Sequence, residues 1–238
     1  MSLADAGYRV AFTYRPGGTP PDETRRELLA RGCEPLDIAC DVGVAGDTER
    51  AVREAERLFG RVDAFVHAAG PIVVKRFARC APADYHAMID ANLGSAVEGA
   101  FAVLPGMRER GFGRLVYFGM NGSHSTTPVR GMTFYAAAKA AVVTFARALA
   151  LEEARSGITV NVIEPGDIRK KSLDRAAAQG VSADNPAGRA GSWEDIAYAV
   201  RFLIADEASF INGATIGVNG GLVAPYESPP RHSPGEDA

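Results

Sequence analysis

Short apolar segments alternate with amphipathic ones along most of the chain. Segments rich in β-branched and aromatic residues, bounded by Gly, Pro or charged residues, predict six strands at 8–14, 34–40, 62–68, 114–119, 158–164 and 214–220. Between them, apolar residues recur at three- and four-residue spacing, which predicts helices over 20–31, 47–60, 84–110, 133–155 and 192–206. Pro105 is expected to bend or interrupt the helix over 84–110.

This alternation predicts one doubly wound α/β domain. Strands separated by helices of ten or more residues require βαβ crossovers, and such crossovers give a parallel sheet. The predicted strands are apolar on both faces, as expected when helices cover both sides of the sheet. We therefore predict a single Rossmann-like domain over residues 1–225, followed by a disordered tail over 226–238 that is rich in Pro and polar residues.

Composition and charge narrow the class of protein. The hydrophobic fraction of 47% and the charged fraction of 23% are ordinary for a soluble globular protein. A formal net charge of -3 argues against a nucleic-acid partner. No uninterrupted apolar run approaches the ~20 residues that span a bilayer, and the first residues do not resemble a signal peptide, so no membrane association is expected.

The cysteines and histidines favour a reducing compartment and no metal site. Cys33, Cys40 and Cys80 form no C-x-x-C pair, and an odd, scattered set fits the cytoplasm better than a disulfide framework. The four histidines lie far apart, at positions 67, 86, 124 and 232, so no metal site is expected.

The sharpest chemical signal is "FYAAAKAAV" at 134–142. Tyr135 and Lys139 are four residues apart on a predicted helix, so they share one face. A lysine ammonium near a phenol favours the phenolate, and a tyrosine tuned in this way can pass a proton to a carbonyl oxygen. Taken alone, the pair is equally an aromatic residue beside a solvated lysine. Its position after a loop that follows a strand favours function, because ligands bind at such strand ends in open parallel sheets.

Further motifs occur in a fixed order: "CDV" (40–42), "HAAG" (67–70), "DANLGSA" (90–96), "GRLVYFG" (113–119), "YAAAK" (135–139) and "ITVNVIEPGDI" (158–168). In this order the chain resembles the short-chain dehydrogenase/reductase family from about Leu3 to Val223. The wider likeness is to 3-oxoacyl-acyl-carrier-protein reductases. The region 119–168 is also similar to bacterial reductases that act on a 5-oxopentanoyl-type lysine modification of elongation factor P.

The resemblance implies catalytic roles for matching positions. Tyr135 would be the general acid in the reductive direction, and Lys139 would hold the nicotinamide ribose and lower the tyrosine pKa. Asn92 would distort its helix and hold a water for proton relay. An asparagine is usual in place of His67, to which no catalytic role is assigned.

The serine of the family pattern has no direct counterpart. Thirteen residues before the tyrosine lies Gly122, and the strand alignment places Met120 there. The loop "NGSHSTT" (121–127) offers several hydroxyls, of which we predict Ser123 as the catalytic serine. His124 in the same loop could polarise a carbonyl, and a flexible hydrophilic turn is the alternative for the whole segment.

The resemblance also implies a set of cofactor contacts along the carboxyl ends of the strands, namely Asp41, Val42, Ala69, Gly70, Tyr135, Lys139, Pro165, Gly166 and Ile168. The choice of cofactor is argued separately from Arg15. A dinucleotide fold selects NAD with an acidic residue near the ribose 2′-oxygen and NADP with a nearby Arg. The first predicted strand ends in Thr13-Tyr14-Arg15 without an acid, so NADPH is predicted, which favours reduction.

One part of the family pattern is not found. The family opens with a strand and a Thr-Gly-x-x-x-Gly-x-Gly turn whose backbone N–H groups meet the pyrophosphate. That strand would lie between the strands at 8–14 and 62–68, so we expect unpaired edges or a gap there. We also expect the true start to lie upstream. A chain without the turn would bind cofactor poorly, so a non-catalytic or cofactor-impaired binding or regulatory protein is the alternative function.

Substrate and assembly are predicted more coarsely. The expected substrate is a small-molecule or carrier-bound carbonyl compound, such as a 3-oxoacyl thioester. Specificity is expected in residues 168–190, a segment that is either a solvated lid or a surface for an anionic substrate or carrier. Its basic residues are Arg169, Lys170, Lys171, Arg175 and Arg189. The helices over 84–110 and 133–155 are apolar on more than one side, which predicts a homo-oligomer, either a dimer or a homotetramer.

Overall fold

All six predicted strands are present, and each begins and ends within three residues of its predicted bounds. The computed structural model describes residues 1–168 and 174–222. The strands are β1 (Ala11–Tyr14), β2 (Leu36–Ala39), β3 (Ala64–His67), β4 (Gly113–Phe118), β5 (Ile158–Pro165) and β6 (Thr215–Val218). The predicted tail over 226–238 and the basic residues 169–171 lie outside the described residues.

Helices occupy every region predicted from the periodicity, one predicted helix is divided, and two short helices were not predicted. They are α1 (Ser2–Asp5), α2 (Asp22–Leu29), α3 (Asp47–Phe59), α4 (Pro82–Ile89), α5 (Ser95–Arg110), α6 (Thr133–Glu153), α7 (Arg175–Gln179) and α8 (Trp193–Ile204). The single helix predicted over 84–110 is divided by a π-helical turn, Asp90–Gly94. Pro105 does not end α5, contrary to one of the two outcomes expected from the sequence.

Helix α5 tolerates Pro105 because the disturbance faces solvent. Proline removes one backbone hydrogen bond and crowds the carbonyl four residues earlier. Pro105 and Phe101 both lie on the exposed side of the helix. The carbonyl that loses its partner can therefore be hydrated.

The strands form two parallel sheets. Strands β3, β4, β5 and β6 form a four-stranded sheet in that order, while β1 pairs only with β2. No described strand pairs with the second edge of β1 or of β3, which is the break expected from the sequence. Helix α3 links the two parts, because it packs on both β2 and α5. The architecture is a single Rossmann-like α/β domain.

The core lies on both faces of the larger sheet because side chains alternate along each strand. On β4, Leu115 and Tyr117 face a cluster made with α5 and α6. Val116, between them, faces a second cluster with Ile163 and Leu203 of α8. This two-sided burial explains the apolar runs seen in the sequence and fixes the carboxyl ends of the strands.

Two helical stretches, Pro82–Arg110 and Thr133–Ser156, are long and apolar enough to cross a membrane by length and composition alone. Polar residues interrupt both stretches, so neither forms an uninterrupted apolar run. Both stretches contribute buried residues to the core against the sheet, as the core helices of soluble proteins do.

Candidate active site

The predicted site residues gather at one edge of the two sheets. Because the strands are parallel, their carboxyl ends share an edge, which is where open α/β sheets bind ligands. Arg15 follows β1, Asp41 follows β2, Gly70 follows β3 and Gly166 follows β5. The loop after β4 leads into α6, which carries Tyr135.

Lys139 is held in the interior by the end of β4. Its side chain is buried, and its Nζ donates a hydrogen bond to the carbonyl oxygen of Phe118 at 3.0 Å. The Nζ lies 5.7 Å from the centroid of the Tyr135 ring. Burial lowers the pKa of Lys139 to about 8. The two residues predicted at the chemical centre are therefore neighbours, as their spacing on one helix face requires.

The protonation of Tyr135 differs from the sequence-based expectation. Burial raises the pKa of its phenol, and Lys139 does not lower it. The expected lowering of this pKa is therefore wrong for the protein as it stands, since the ammonium is directed to a backbone carbonyl. A phenol with a raised pKa keeps its proton at neutral pH.

Asn92 lies in the π turn and is completely buried. Its Nδ2 donates to the carbonyl oxygens of Met88 at 3.0 Å and Pro71 at 3.2 Å. Its Oδ1 is buried and accepts no hydrogen bond within the described part of the chain. The helix distortion expected at this residue is present. An orphaned buried acceptor is costly, so this oxygen is suited to bind a donor such as a water.

Gly70 lets the backbone pass close to Asn92. Its φ is +131°, and a Cβ at this position would overlap the Asn92 Oδ1 and Cγ atoms. A side chain is therefore excluded for both conformational and steric reasons. Gly166 has a similar role at the end of β5, where a Cβ would lie 2.6 Å from the Cα of Asn219.

Ser123 is buried and helps to close the loop after β4. Its Oγ accepts a hydrogen bond from the backbone N–H of Met120 at 2.8 Å. The hydroxyls of Ser125 and Thr127 lie 3.1 Å apart in the same loop. The structure thus gives Ser123 a loop-closing contact, and its catalytic assignment stays a prediction.

His67 forms a buried contact that the sequence did not reveal. Its Nε2 lies 2.8 Å from the Ser95 Oγ, and that hydroxyl donates to the Ala91 carbonyl at 2.8 Å. The imidazole therefore donates from Nε2, and Nδ1 has no partner among the described residues. Burial, with a smaller effect of the Lys139 charge, lowers the pKa of His67 to about 4. The ring is neutral beneath the site.

The residues predicted for the adenine end are arranged around two turns. Arg15 is exposed, and its guanidinium pairs with no described residue. The Asp41 Oδ1 accepts a hydrogen bond from the N–H of Gly43 at 3.0 Å. Val42 packs against the cluster around Ile38. Arg15 is therefore free to meet an anion, while Asp41 shapes its own turn.

The two described arginines of the predicted specificity segment are paired with one acid. Arg175 Nε lies 3.2 Å and Arg189 Nη1 3.0 Å from the carboxylate of Asp195. Burial alone would raise the pKa of Asp195, but hydrogen bonds from Arg189 and Ser192 outweigh it and lower that pKa. Ser192 and Asp195 form the capping box expected at the start of α8. Asp195 therefore offsets the charge of the two arginines in the described part of this segment.

The family described as "Enoyl-(Acyl carrier protein) reductase" matches residues 1–223 of this chain. The match therefore covers nearly the whole sequence and includes every site residue described above. The chain belongs to the short-chain dehydrogenase/reductase family.

Relatives within the short-chain dehydrogenase/reductase family extend over similar lengths. An acetoacetyl-CoA reductase of Allochromatium vinosum is 34% identical over 227 residues, which cover 92% of this chain and 90% of that protein. The 3-oxoacyl-[acyl-carrier-protein] reductase FabG of Escherichia coli is 37% identical over 210 residues, or 86% of this chain and 85% of the relative. A blue fluorescent protein from a metagenomic library, solved in complex with NADPH, has a TM-score of 0.83 at 28% identity and covers 94% of this chain and 91% of its own.

The site residues described above form two groups along the shared edge of the strands. At one end are the buried amine of Lys139, the Tyr135 phenol and the orphaned Asn92 Oδ1. At the other end is the guanidinium of Arg15, which is exposed and pairs with no described residue. No glycine-rich turn for the pyrophosphate occurs among the 238 residues. Within the described ranges, no cluster of His, Cys, Asp or Glu side chains is arranged to bind a metal.

Proposed function

We propose that this chain reduces a carbonyl group to a hydroxyl group in an NADPH-dependent reaction, with Tyr135 as the general acid. The observation that carries the proposal is the geometry of α6. It places a protonated phenol and a buried lysine amine on one face, at the edge where the other site residues gather. The relatives named for acetoacetyl-CoA and 3-oxoacyl-carrier reduction support the same reaction class.

The residues of the chain would act as a proton-delivery set. Tyr135 donates its phenolic proton to the oxygen of the carbonyl group. The Lys139 amine, fixed by the Phe118 carbonyl, would hold the nicotinamide ribose beside the phenol. The free Oδ1 of Asn92 holds a water through which the proton is replaced. NADPH, when bound, would supply the hydride that forms the new C–H bond.

Arg15 supports NADPH over NADH. Its guanidinium has no described partner at the end of β1, and no acidic residue precedes it on that strand. An arginine binds a phosphate through charge-assisted hydrogen bonds, whereas an acid would select the unphosphorylated ribose. Asp41 and Val42 would flank the adenine, and Ala69 and Gly70 would let the backbone approach the cofactor. The Pro165–Ile168 segment would meet the nicotinamide through its backbone.

The substrate class we infer is a 3-oxoacyl or related thioester on a small molecule or a carrier. The names of the relatives favour it, and the carbonyl of such a compound fits a tyrosine donor. We further infer a cytoplasmic homo-oligomer. The three cysteines are free, and Phe101 on α5 and Leu151 on α6 are exposed by 70% and 83%. Apolar side chains so exposed on neighbouring helices favour contact between copies.

Removal of one oxygen atom tests the role of Tyr135 as the proton donor. Tyr135→Phe removes only the phenolic oxygen, so the fold and cofactor binding should persist while reduction of acetoacetyl-CoA falls by about 100-fold or more. The measurement is NADPH oxidation at saturating substrate, with Tyr198→Phe, an exposed tyrosine on α8, as the matched control. Full turnover by Tyr135→Phe would remove Tyr135 from the mechanism.

A second candidate is a binding or regulatory protein that does not turn over substrate. The unpaired edges of β1 and β3 among the described strands favour it. The two candidates differ in cofactor binding. NADPH binding by this chain, in which Tyr135 and Lys139 are neighbours, would support the reductase.

A further inference from the structure

A buried carboxylate organises the loop between β4 and α6. Glu164, near the end of β5, is 1% exposed. Its Oε2 accepts a hydrogen bond from the N–H of Gly122 at 3.1 Å, and its Oε1 accepts one from the N–H of His124 at 2.7 Å. Burial of a carboxylate is expensive unless hydrogen bonds satisfy it. This one is therefore fixed to the loop rather than to solvent.

The same carboxylate orients the imidazole of His124. The Nδ1 atom lies 2.7 Å from Glu164 Oε2, so Nδ1 carries a proton and donates to the carboxylate. The His124 side chain is 49% exposed, whereas that of Glu164 is 2% exposed. No hydrogen bond in the described part of the chain involves the second ring nitrogen, Nε2. The ring is thus anchored on its inner side and free on its outer side.

The turn that carries the His124 ring lies against the helix that carries Tyr135 and Lys139. The turn Ser123–Ser125 packs against α6, the helix of Tyr135 and Lys139. Lys139 bonds to Phe118, and a Cβ on the next residue, Gly119, would lie 3.0 Å from the Glu164 Cγ. The carboxylate, the end of β4 and the helix face are therefore in contact.

The loop that presents the ring is held in a strained, bonded conformation. Thr126 has a φ of +55°, the only positive φ outside glycine in the described ranges. Asn121 Oδ1 accepts a hydrogen bond from Asn219 Nδ2 at 2.7 Å. Strain of this kind persists where the surroundings over-determine it, and it is concentrated at functional sites. This is the support that a positioned side chain needs.

We propose that His124 is a further catalytic residue of the reductase, the second group that binds the carbonyl oxygen. In its imidazolium form, Nε2–H donates a hydrogen bond to that oxygen as negative charge develops there. NADPH, when bound, would supply the hydride for the new C–H bond. The electrons of the C=O π bond would then move to oxygen, and Tyr135 supplies the proton. His124 retains its own proton, and Glu164 is a positioning residue that fixes the ring.

This role rests on the proposed function and replaces the one predicted for Ser123. The Ser123 hydroxyl is buried within the loop, whereas the His124 ring is half exposed. If the imidazole donates a hydrogen bond to the carbonyl oxygen, the buried carboxylate beneath the loop has a function, which is to orient the ring. The backbone N–H groups of Gly122 and His124 also bind Glu164, so removal of the ring leaves the loop two of its anchors.

The test is acetoacetyl-CoA reduction by His124→Ala, Ser123→Ala and Ser125→Ala, the last as a control in the same turn. His124→Ala should lower kcat by about 100-fold, the usual effect of losing one oxyanion donor, with the NADPH Kd and the Tm unchanged. Ser125→Ala should change kcat less than twofold. In the intact protein, the His124 ring signals in NMR should move when 3-hydroxybutyryl-CoA is added.

Two outcomes overturn the proposal and are distinct from failure of the reductase assignment. If Tyr135→Phe abolishes turnover while His124→Ala keeps its kcat, His124 is not catalytic although the reductase mechanism holds. If Ser123→Ala, with an unchanged Tm, shows the large loss instead, the serine is the second donor. If Tyr135→Phe itself turns over normally, the proposed function fails first.

Discussion

Burial drives the titratable side chains at the centre of the site towards their neutral forms. It lowers the pKa of Lys139 to about 8, raises that of Tyr135 and lowers that of His67 to about 4. The phenol therefore holds a proton that it can donate, and the lysine is close to losing one at neutral pH. The sequence identified the pair by its spacing, its position after a loop that follows a strand, and the family resemblance. The direction of the Tyr135 pKa shift depends on which group the ammonium faces.

The neutral state of His67 makes stability depend on pH. Its pKa falls from 6.5 to about 4 on folding, so only the unfolded chain binds this proton between those values. Stability should decline as pH falls from about 6.5 to 4, by up to about 3 kcal/mol from this residue. The free energy of unfolding, measured with urea at pH 7 and at pH 4.5, tests this decline.

The comparison that isolates His67 uses two variants. His67→Asn keeps a hydrogen-bonding partner for Ser95 but does not titrate, so its loss of stability at pH 4.5 should be smaller than that of the parent. His86→Asn changes an exposed histidine on α4 and should follow the parent. An identical pH dependence in the parent and His67→Asn would contradict the assignment of a buried neutral imidazole.

The packing of helices, strands and loops brings together residues that are far apart in the sequence. Six strands and most helices were predictable because apolar periodicity is a local signal. The His67–Ser95 and His124–Glu164 contacts join β3 to α5 and a loop to β5, so no local pattern encodes them. The π turn at Asn92 was expected only through the family resemblance.

We expect the contributions of Gly70 and of Asn92 in the π turn to stability to depend on each other. Gly70→Ala would place a Cβ against Asn92 Oδ1, so the asparagine must move or the backbone must shift. We expect a loss of stability about 1–3 kcal/mol larger than for Gly32→Ala, together with a reduced kcat. Gly32 has a φ of +71° but nothing within 4 Å of its Cβ position, so it controls for backbone strain. Equal losses in urea unfolding would show that Gly70 and Asn92 are independent.

At the scale of the whole molecule, the chain combines a nearly complete family pattern with two sheets that do not join. The family match covers residues 1–223, and the strand order breaks between β1 and β3. The sequence predicted this break because the expected first strand and its glycine-rich turn were not found. What it could not predict is how the parts stay together, which depends on the packing of α3 on β2 and α5.

The measurement that tests the central claim most directly is NADPH binding by this chain. Trp193, the single tryptophan, provides energy transfer to the bound nicotinamide. The account predicts saturable transfer in the micromolar range. It also predicts that Arg15→Ala weakens NADPH at least about tenfold more than NADH, since a charge-assisted hydrogen bond contributes roughly 1.5 kcal/mol or more. Arg57→Ala, an exposed arginine on α3, should bind both cofactors as the parent does. No saturable transfer with NADPH would contradict an NADPH-linked reductase and favour the non-catalytic alternative.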